Sequence, residues 1–134
     1  MGKKGLLLLL AVIISISVMY GCSSGANKNP AAEAVEIYLQ ALVNQDLNRM
    51  ITVSCGAWET QAKQEYDSFA AVKLNLNNLS CQEINQEGDT SSITCNGSII
   101  ANYGAEDLEI DIADRIFKVV KEGGEWRMCG YVAQ

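Results

Sequence analysis

The sequence predicts an α+β domain in which N-terminal helices pack on a four-stranded antiparallel sheet. Three observations predict it. Apolar residues recur at helical spacing from Ala34 to Phe69, and from Lys73 onward the apolar period changes to two. Gly-containing turn signals at 87–89, 103–106 and 123–124 then cut the second half into strands.

The first helix opens at Asn29-Pro30, an N-cap residue followed by Pro at the first helical position, with Glu33 and Glu36 near the positive end of its dipole. Ala34, Val35, Tyr38, Leu39 and Leu42 form its buried face, and the helix runs to about Val43. Asp46 caps a short second helix holding Leu47, Met50, Ile51 and Val53. A third helix spans about 57–71, carrying Trp58, Ala62, Tyr66 or Glu65, and Phe69.

Leu74, Leu76, Leu79 and Cys81 define the first strand, and Ile93, Cys95, Ile99 and Ile100 the second, with Glu87-Gly88-Asp89 between them. Leu108, Ile110 and Ile112 alternate with Glu109 and Asp111, so that strand is half exposed. Its phase shifts near Ala113-Asp114 before Phe117 and Val119, which predicts a bulge. Gly123-Gly124 makes a two-residue hairpin turn into the last strand, Trp126 to Cys129.

Upstream, Lys3 and Lys4 precede an apolar run from Leu6 to Met19, shorter than the roughly 20 residues a membrane-spanning helix needs. The run ends in Met19-Tyr20-Gly21-Cys22, which resembles the lipobox of bacterial lipoproteins. That resemblance implies cleavage before Cys22, diacylglycerol on its sulfur, and an extracytoplasmic domain held to the cell membrane by lipid, palmitate included. The expected organisation is a signal peptide at 1–21, a flexible tether at 22–29 rich in Ser, Gly and Asn, and one domain at 30–134.

The chain has 16 Asp and Glu against 10 Lys and Arg, and removal of residues 1–21 takes two of the lysines and no acid. Such an acidic surface excludes nucleic acid and anionic headgroups as partners. With Cys22 lipidated, four of the five cysteines remain, an even number suited to two disulfides outside the cytosol. A hairpin turn centred on Gly88 sets Cys81 across from Cys95, close enough to bridge. Cys55 and Cys129 are left as the second pair, although simple alternation points Cys129 away from the face of Trp126 and Met128, so a bulge or a place at the sheet rim is required.

The helices and the closing hairpin Phe117-Lys118-Val119-Val120-Lys121-Glu122-Gly123-Gly124-Glu125-Trp126-Arg127 resemble the nuclear-transport-factor-2-like superfamily of cystatin-like cones. The opening Ala31 to Asp46 is similar to small bacterial lipoproteins of unknown function in that group. The resemblance implies a curved sheet wrapped around the helices and a pocket at the open end of the cone. Superfamily members include isomerases, dehydratases and binding proteins, so fold alone assigns no activity.

No histidine is present, which removes Ser-His-Asp and Cys-His catalysis and leaves a carboxylate as the candidate base, with Glu65, Asp67, Asp111 and Asp114 as options. No metal-ligand spacing, phosphate loop or cofactor motif occurs. The acids from Glu106 to Asp114 alternate along a strand and read as a solvated face. Tyr38, Trp58, Tyr66, Phe69, Phe117 and Trp126 are the candidate pocket lining. The expected function is a membrane-anchored module that binds a small apolar ligand or an envelope protein. A carboxylate-based isomerase or hydrolase, or a structural homodimer, is the alternative.

Overall fold

The computed structural model describes residues 28–134. The expected signal peptide at 1–21, Cys22 and the expected tether as far as Asn27 lie outside the described residues.

Asn29 caps α1 (Pro30–Val43): its Oδ1 accepts from the backbone N–H groups of Ala31 at 2.9 Å and Ala32 at 3.0 Å. Lys28 and Asn29 therefore already belong to the fold, with the Lys28 ammonium 2.7 Å from the Glu36 carboxylate. Glu36 is buried against the sheet, where its Oε1 accepts from the Cys81 N–H at 3.1 Å. Asp46 caps α2 (Leu47–Thr52) by accepting from the Arg49 N–H. The third helical region begins as a 3₁₀ turn at Gly56–Trp58 and continues as α3 (Glu59–Ser68). It closes earlier than the sequence suggests, because Phe69 turns into the loop before the sheet.

The sheet has five strands where four are expected: β1 (Lys73–Glu87), β2 (Thr90–Asn102), β3 (Asp107–Asp111), β4 (Arg115–Glu122) and β5 (Glu125–Ala133). Their order is β1-β2-β4-β5, with β3 paired to the far half of the same β2 edge that holds β4. The fifth strand is one half of the long strand expected between Leu108 and Val119. The bulge at 112–114 bends that strand enough to interrupt it. Ile112 donates its N–H to Gly97 O at 3.1 Å, Asp111 Oδ1 accepts from Ala113 N–H at 2.8 Å, and Arg115 N–H reaches back to Ile112 O at 3.2 Å.

The bulge has a counterpart on the other side of β2. Along β1 the register slips by a residue between Asn77, opposite Ser98, and Ser80, opposite Asn96. Both neighbours of β2 thus carry extra backbone at the level of Gly97, and a strand lengthened against its partner bends. Gly97 sits at φ +112°, and a Cβ there would lie 2.6 Å from the Asn77 carbonyl oxygen. Only glycine lets the strands close to this distance. A transverse crease of Asn78, Gly97 and Ile112 folds the sheet around α1.

Inside the fold lie Val35, Tyr38, Leu39 and Leu42 of α1 against Ile93, Cys95, Ile99, Phe117, Val119 and Met128 of the sheet. At roughly 25 cal/mol per Å² of apolar surface removed from water, this interface is the main source of stability. Two disulfides brace it. Cys81 and Cys95 are opposed across β1 and β2 with Cα atoms 4.0 Å apart. The turn itself is Gly88-Asp89, with Glu87 facing Thr90, and the extra residue at Ile84 offsets the register so that the two cysteines still meet. Cys55 is joined to Cys129 over a separation of 74 residues. A one-residue bulge in β5, between the Val119–Met128 and Phe117–Tyr131 pairs, displaces Cys129 from strict alternation. Segment 53–55 lies along β5 through Met128 N–H to Val53 O and Cys55 N–H to Met128 O, both 2.8 Å.

Candidate functional site

A cleft of about 320 Å³ lies between α1, α3 and the part of the sheet around the crease. Its apolar walls are Leu42 of α1, Phe69 after α3, and the cross-strand pair Ile99 and Ile110 of β2 and β3. Its polar lining is Glu65 and Ser68 of α3, Arg115 at the start of β4, and Tyr131 of β5. The crease brings these together: Ile99 and Ile110 lie on one side of it, Arg115 on the other.

Glu65 is the hub of the polar side. Tyr38, wholly buried on α1, donates its hydroxyl proton to Glu65 Oε2 at 2.5 Å, and Tyr131 donates to Oε1 at 3.0 Å. Trp58 Nε1–H donates to the Tyr38 oxygen at 3.3 Å. One carboxylate therefore joins α1, α3 and β5, and the indole extends the network to the 3₁₀ turn. Trp58 can approach because Gly130 follows the bulge at φ +119°, where a Cβ would stand 3.1 Å from the indole ring. The Trp58 and Tyr131 rings meet edge to face with centroids 5.9 Å apart, and Tyr131 leans on Phe117 at 5.5 Å. The Arg115 guanidinium covers the Tyr131 ring at 4.7 Å, a cation–π contact.

Burial and the adjacent Glu65 carboxylate both disfavour a phenolate. They push Tyr131 up to about 12 despite the opposing effect of Arg115, and they raise Tyr38 further above its ordinary value.

Of the aromatic residues expected to line a pocket, Phe69 does so directly. Tyr38 and Trp58 stand behind the polar wall, and Phe117 is fully buried beneath Tyr131. Tyr66 turns to the α1–α2 loop, where its hydroxyl donates to Gln45 O at 3.4 Å. Trp126 lies elsewhere, in a hollow of about 390 Å³ with Pro30 and Ile37, and Lys121 sits 5.8 Å from its ring. The structure thus divides that set among cleft wall, support and core. Among the candidate carboxylates, Glu65 alone lines the cleft; Asp67 is exposed, Asp111 caps the crease, and Asp114 lies in solvent beside Arg115. Sequence reasoning misses Leu42, Ser68, Ile99, Ile110, Arg115 and Tyr131 as cleft residues, the apolar three having been read only as packing positions. Tyr131 faces the helices only because of the β5 bulge, and Arg115 follows the break that ends β3. No group of three potential metal ligands occurs among the described residues.

No protein-family model matches the sequence, and no curated protein matches it. Solved structures do resemble the fold. A candidate aromatic ring hydroxylase from Novosphingobium aromaticivorans has a TM-score of 0.57 at 13% identity, covering 74% of this chain and 81% of its own. A candidate dehydratase of the NTF2-like family from Streptomyces avermitilis has a TM-score of 0.53 at 11% identity, covering 76% of this chain and 90% of its own. Bd1075 of Bdellovibrio bacteriovorus reaches 0.51 at 12% identity over 76% of this chain, which spans only 40% of that protein. At such identities the likeness concerns the fold alone, an NTF2-like or cystatin-like arrangement of helices on an antiparallel sheet.

The tyrosine network predicts a defined alkaline response. The folded state holds the Tyr131 proton more tightly than the unfolded chain, whose phenol titrates near 10.0, so this contribution to stability is complete below that pH and is lost as pH rises through about 12. Ultraviolet titration of folded Tyr131→Phe should lack tyrosinate absorbance that the parent gains near pH 12. A difference centred at the ordinary phenol pH, or none, contradicts the network.

Proposed function

We propose that this chain is exported, lipid-anchored at Cys22, and displays its cone outside the cytoplasm to bind a small, largely apolar ligand. The observation that carries the reading is the cleft: about 320 Å³, four apolar side chains on its walls and a small convergent set of polar groups. That size and composition are those of small-molecule sites. Two disulfides within one small domain accord with folding in an oxidising compartment. No helix among the described residues is long and apolar enough to cross a membrane, so attachment through an acylated Cys22 fits the lipobox-like Gly21-Cys22. Two or three acyl chains hold a protein durably, at about 0.8 kcal/mol per buried CH₂.

Binding is favoured over catalysis because both Glu65 oxygens already accept phenol protons, which makes this carboxylate a brace for the cleft. The exposed large apolar residues Ile84, Tyr103, Leu108 and Val132 are dispersed over the two ends of the β1–β2 hairpin, β3 and β5. The cleft is accordingly a better contact point than an apolar sheet face.

The neutral dye Nile red should bind the soluble domain and fluoresce. Ile110→Trp, which fills the cleft, should weaken it by about ten-fold, the effect of losing on the order of 1.4 kcal/mol of apolar contact. Equal binding by the parent and Ile110→Trp would sink the site. Separately, Cys22→Ala should move the protein from the membrane fraction to an uncleaved precursor without incorporated palmitate; unchanged processing and labelling would remove the anchor.

A further inference from the structure

The same cleft also indicates the polar end of its ligand, an inference that rests on reading the cleft as a binding site. Its polar groups differ in what they have left to offer. Ser68 donates its single hydroxyl proton to Gln64 O at 2.8 Å. Tyr131 gives its proton to Glu65 at 3.0 Å, and Glu65 accepts on both oxygens. Arg115 is the exception. Its guanidinium lies over the Tyr131 ring, with Cζ 4.7 Å from the centroid, and makes no hydrogen bond with any described residue; its ion-pair partner, Asp114, is 3.7 Å away and largely in solvent. A guanidinium carries five N–H donors in a planar fork, and this one has them available at the edge of an apolar cleft, with only 22% of its side chain exposed.

We propose that the cleft binds small organic carboxylates, with Arg115 taking the carboxylate and Leu42, Phe69, Ile99 and Ile110 enclosing the apolar body. The contact with Tyr131 holds the guanidinium at the cleft edge, so a bidentate pair with a carboxylate forms with less loss of side-chain freedom than at an unsupported arginine. Glu65 faces the same cleft but is held on the α3 side by two phenol donors, Tyr38 and Tyr131, whereas Arg115 stands on the sheet side over the Tyr131 ring with its own donors unpaired. A cationic ligand would share Glu65 with two phenol donors and would meet the Arg115 charge across the same cleft.

Octanoate, octanol and octylamine share one apolar body and differ in head group, so calorimetric titration of the soluble domain with these three decides the matter. Octanoate should bind about ten-fold tighter than octanol, the value of one charge-assisted pair, with octylamine weakest. In Arg115→Gln the octanoate advantage should vanish while octanol affinity is kept. Octanol equal to octanoate in the parent overturns the carboxylate inference and leaves the apolar cleft standing. Octylamine binding tightest overturns it in favour of Glu65 as the recognition group. No binding by any of the three overturns both the inference and the cleft reading. Because the head-group ranking is read on the parent protein, an Arg115→Gln chain that fails to fold does not rescue the proposal.

Discussion

The crease across the sheet is the constraint on which the rest of the structure depends. Both strands beside β2 carry an extra residue at the level of Gly97, and the absence of a side chain there lets the Asn77 and Asn78 carbonyls come into contact range. A flat sheet could cover α1 along one line only. The bent one meets it with Ile93, Phe117, Val119 and Met128 on one side of the crease and raises Ile99 and Ile110 into a wall on the other. The core and the cleft are therefore two consequences of a single distortion, and the interruption between β3 and β4 is the same distortion seen on the second neighbour.

Polar groups and covalent bonds then fix what the bend arranges. Glu65 draws Tyr38 and Tyr131 to one point, which holds a helix-borne and a sheet-borne phenol in register at the rim of the cleft. Cys55–Cys129 ties the segment before α3 to the β5 bulge, just where Gly130 receives Trp58. Closing a loop of 74 residues restrains the unfolded chain by roughly 4 kcal/mol in the chain-entropy account. The result is a rigid frame around a cleft whose walls are apolar and whose one uncommitted donor group is Arg115.

Much of this was legible in the sequence because it depends on local patterns. The cap at Asn29-Pro30, the face of α1, the hairpin turn at Gly123-Gly124 and the phase change near Ala113 each declare themselves within a few residues. The cleft was less legible for a physical reason: its members come from elements distant in the chain, and their orientation is set by bulges. Tyr131 pairs with Phe117 only after the one-residue slip at Cys129-Gly130, and simple alternation from Trp126 assigns it the wrong face. Phe117 and Trp126 show the converse, since bulk and aromaticity mark a residue for burial without saying whether it lines a cleft, fills the core or covers another surface. Glu36 reads as a dipole partner for α1, yet it is buried on the Cys81 N–H, a contact that needs the register of β1.

The stability and binding of Gly97→Ala, set against Gly56→Ala, test the crease most directly. A Cβ at position 56 meets open space, whereas one at 97 meets two backbone carbonyls at a positive φ. In urea denaturation Gly97→Ala should lose at least about 2 kcal/mol, the scale of backbone strain at such a position, and should lose Nile red binding with it, while Gly56→Ala stays near the parent. A Gly97→Ala domain as stable as Gly56→Ala, with its cleft intact, would contradict the dependence of core and cleft on that bend.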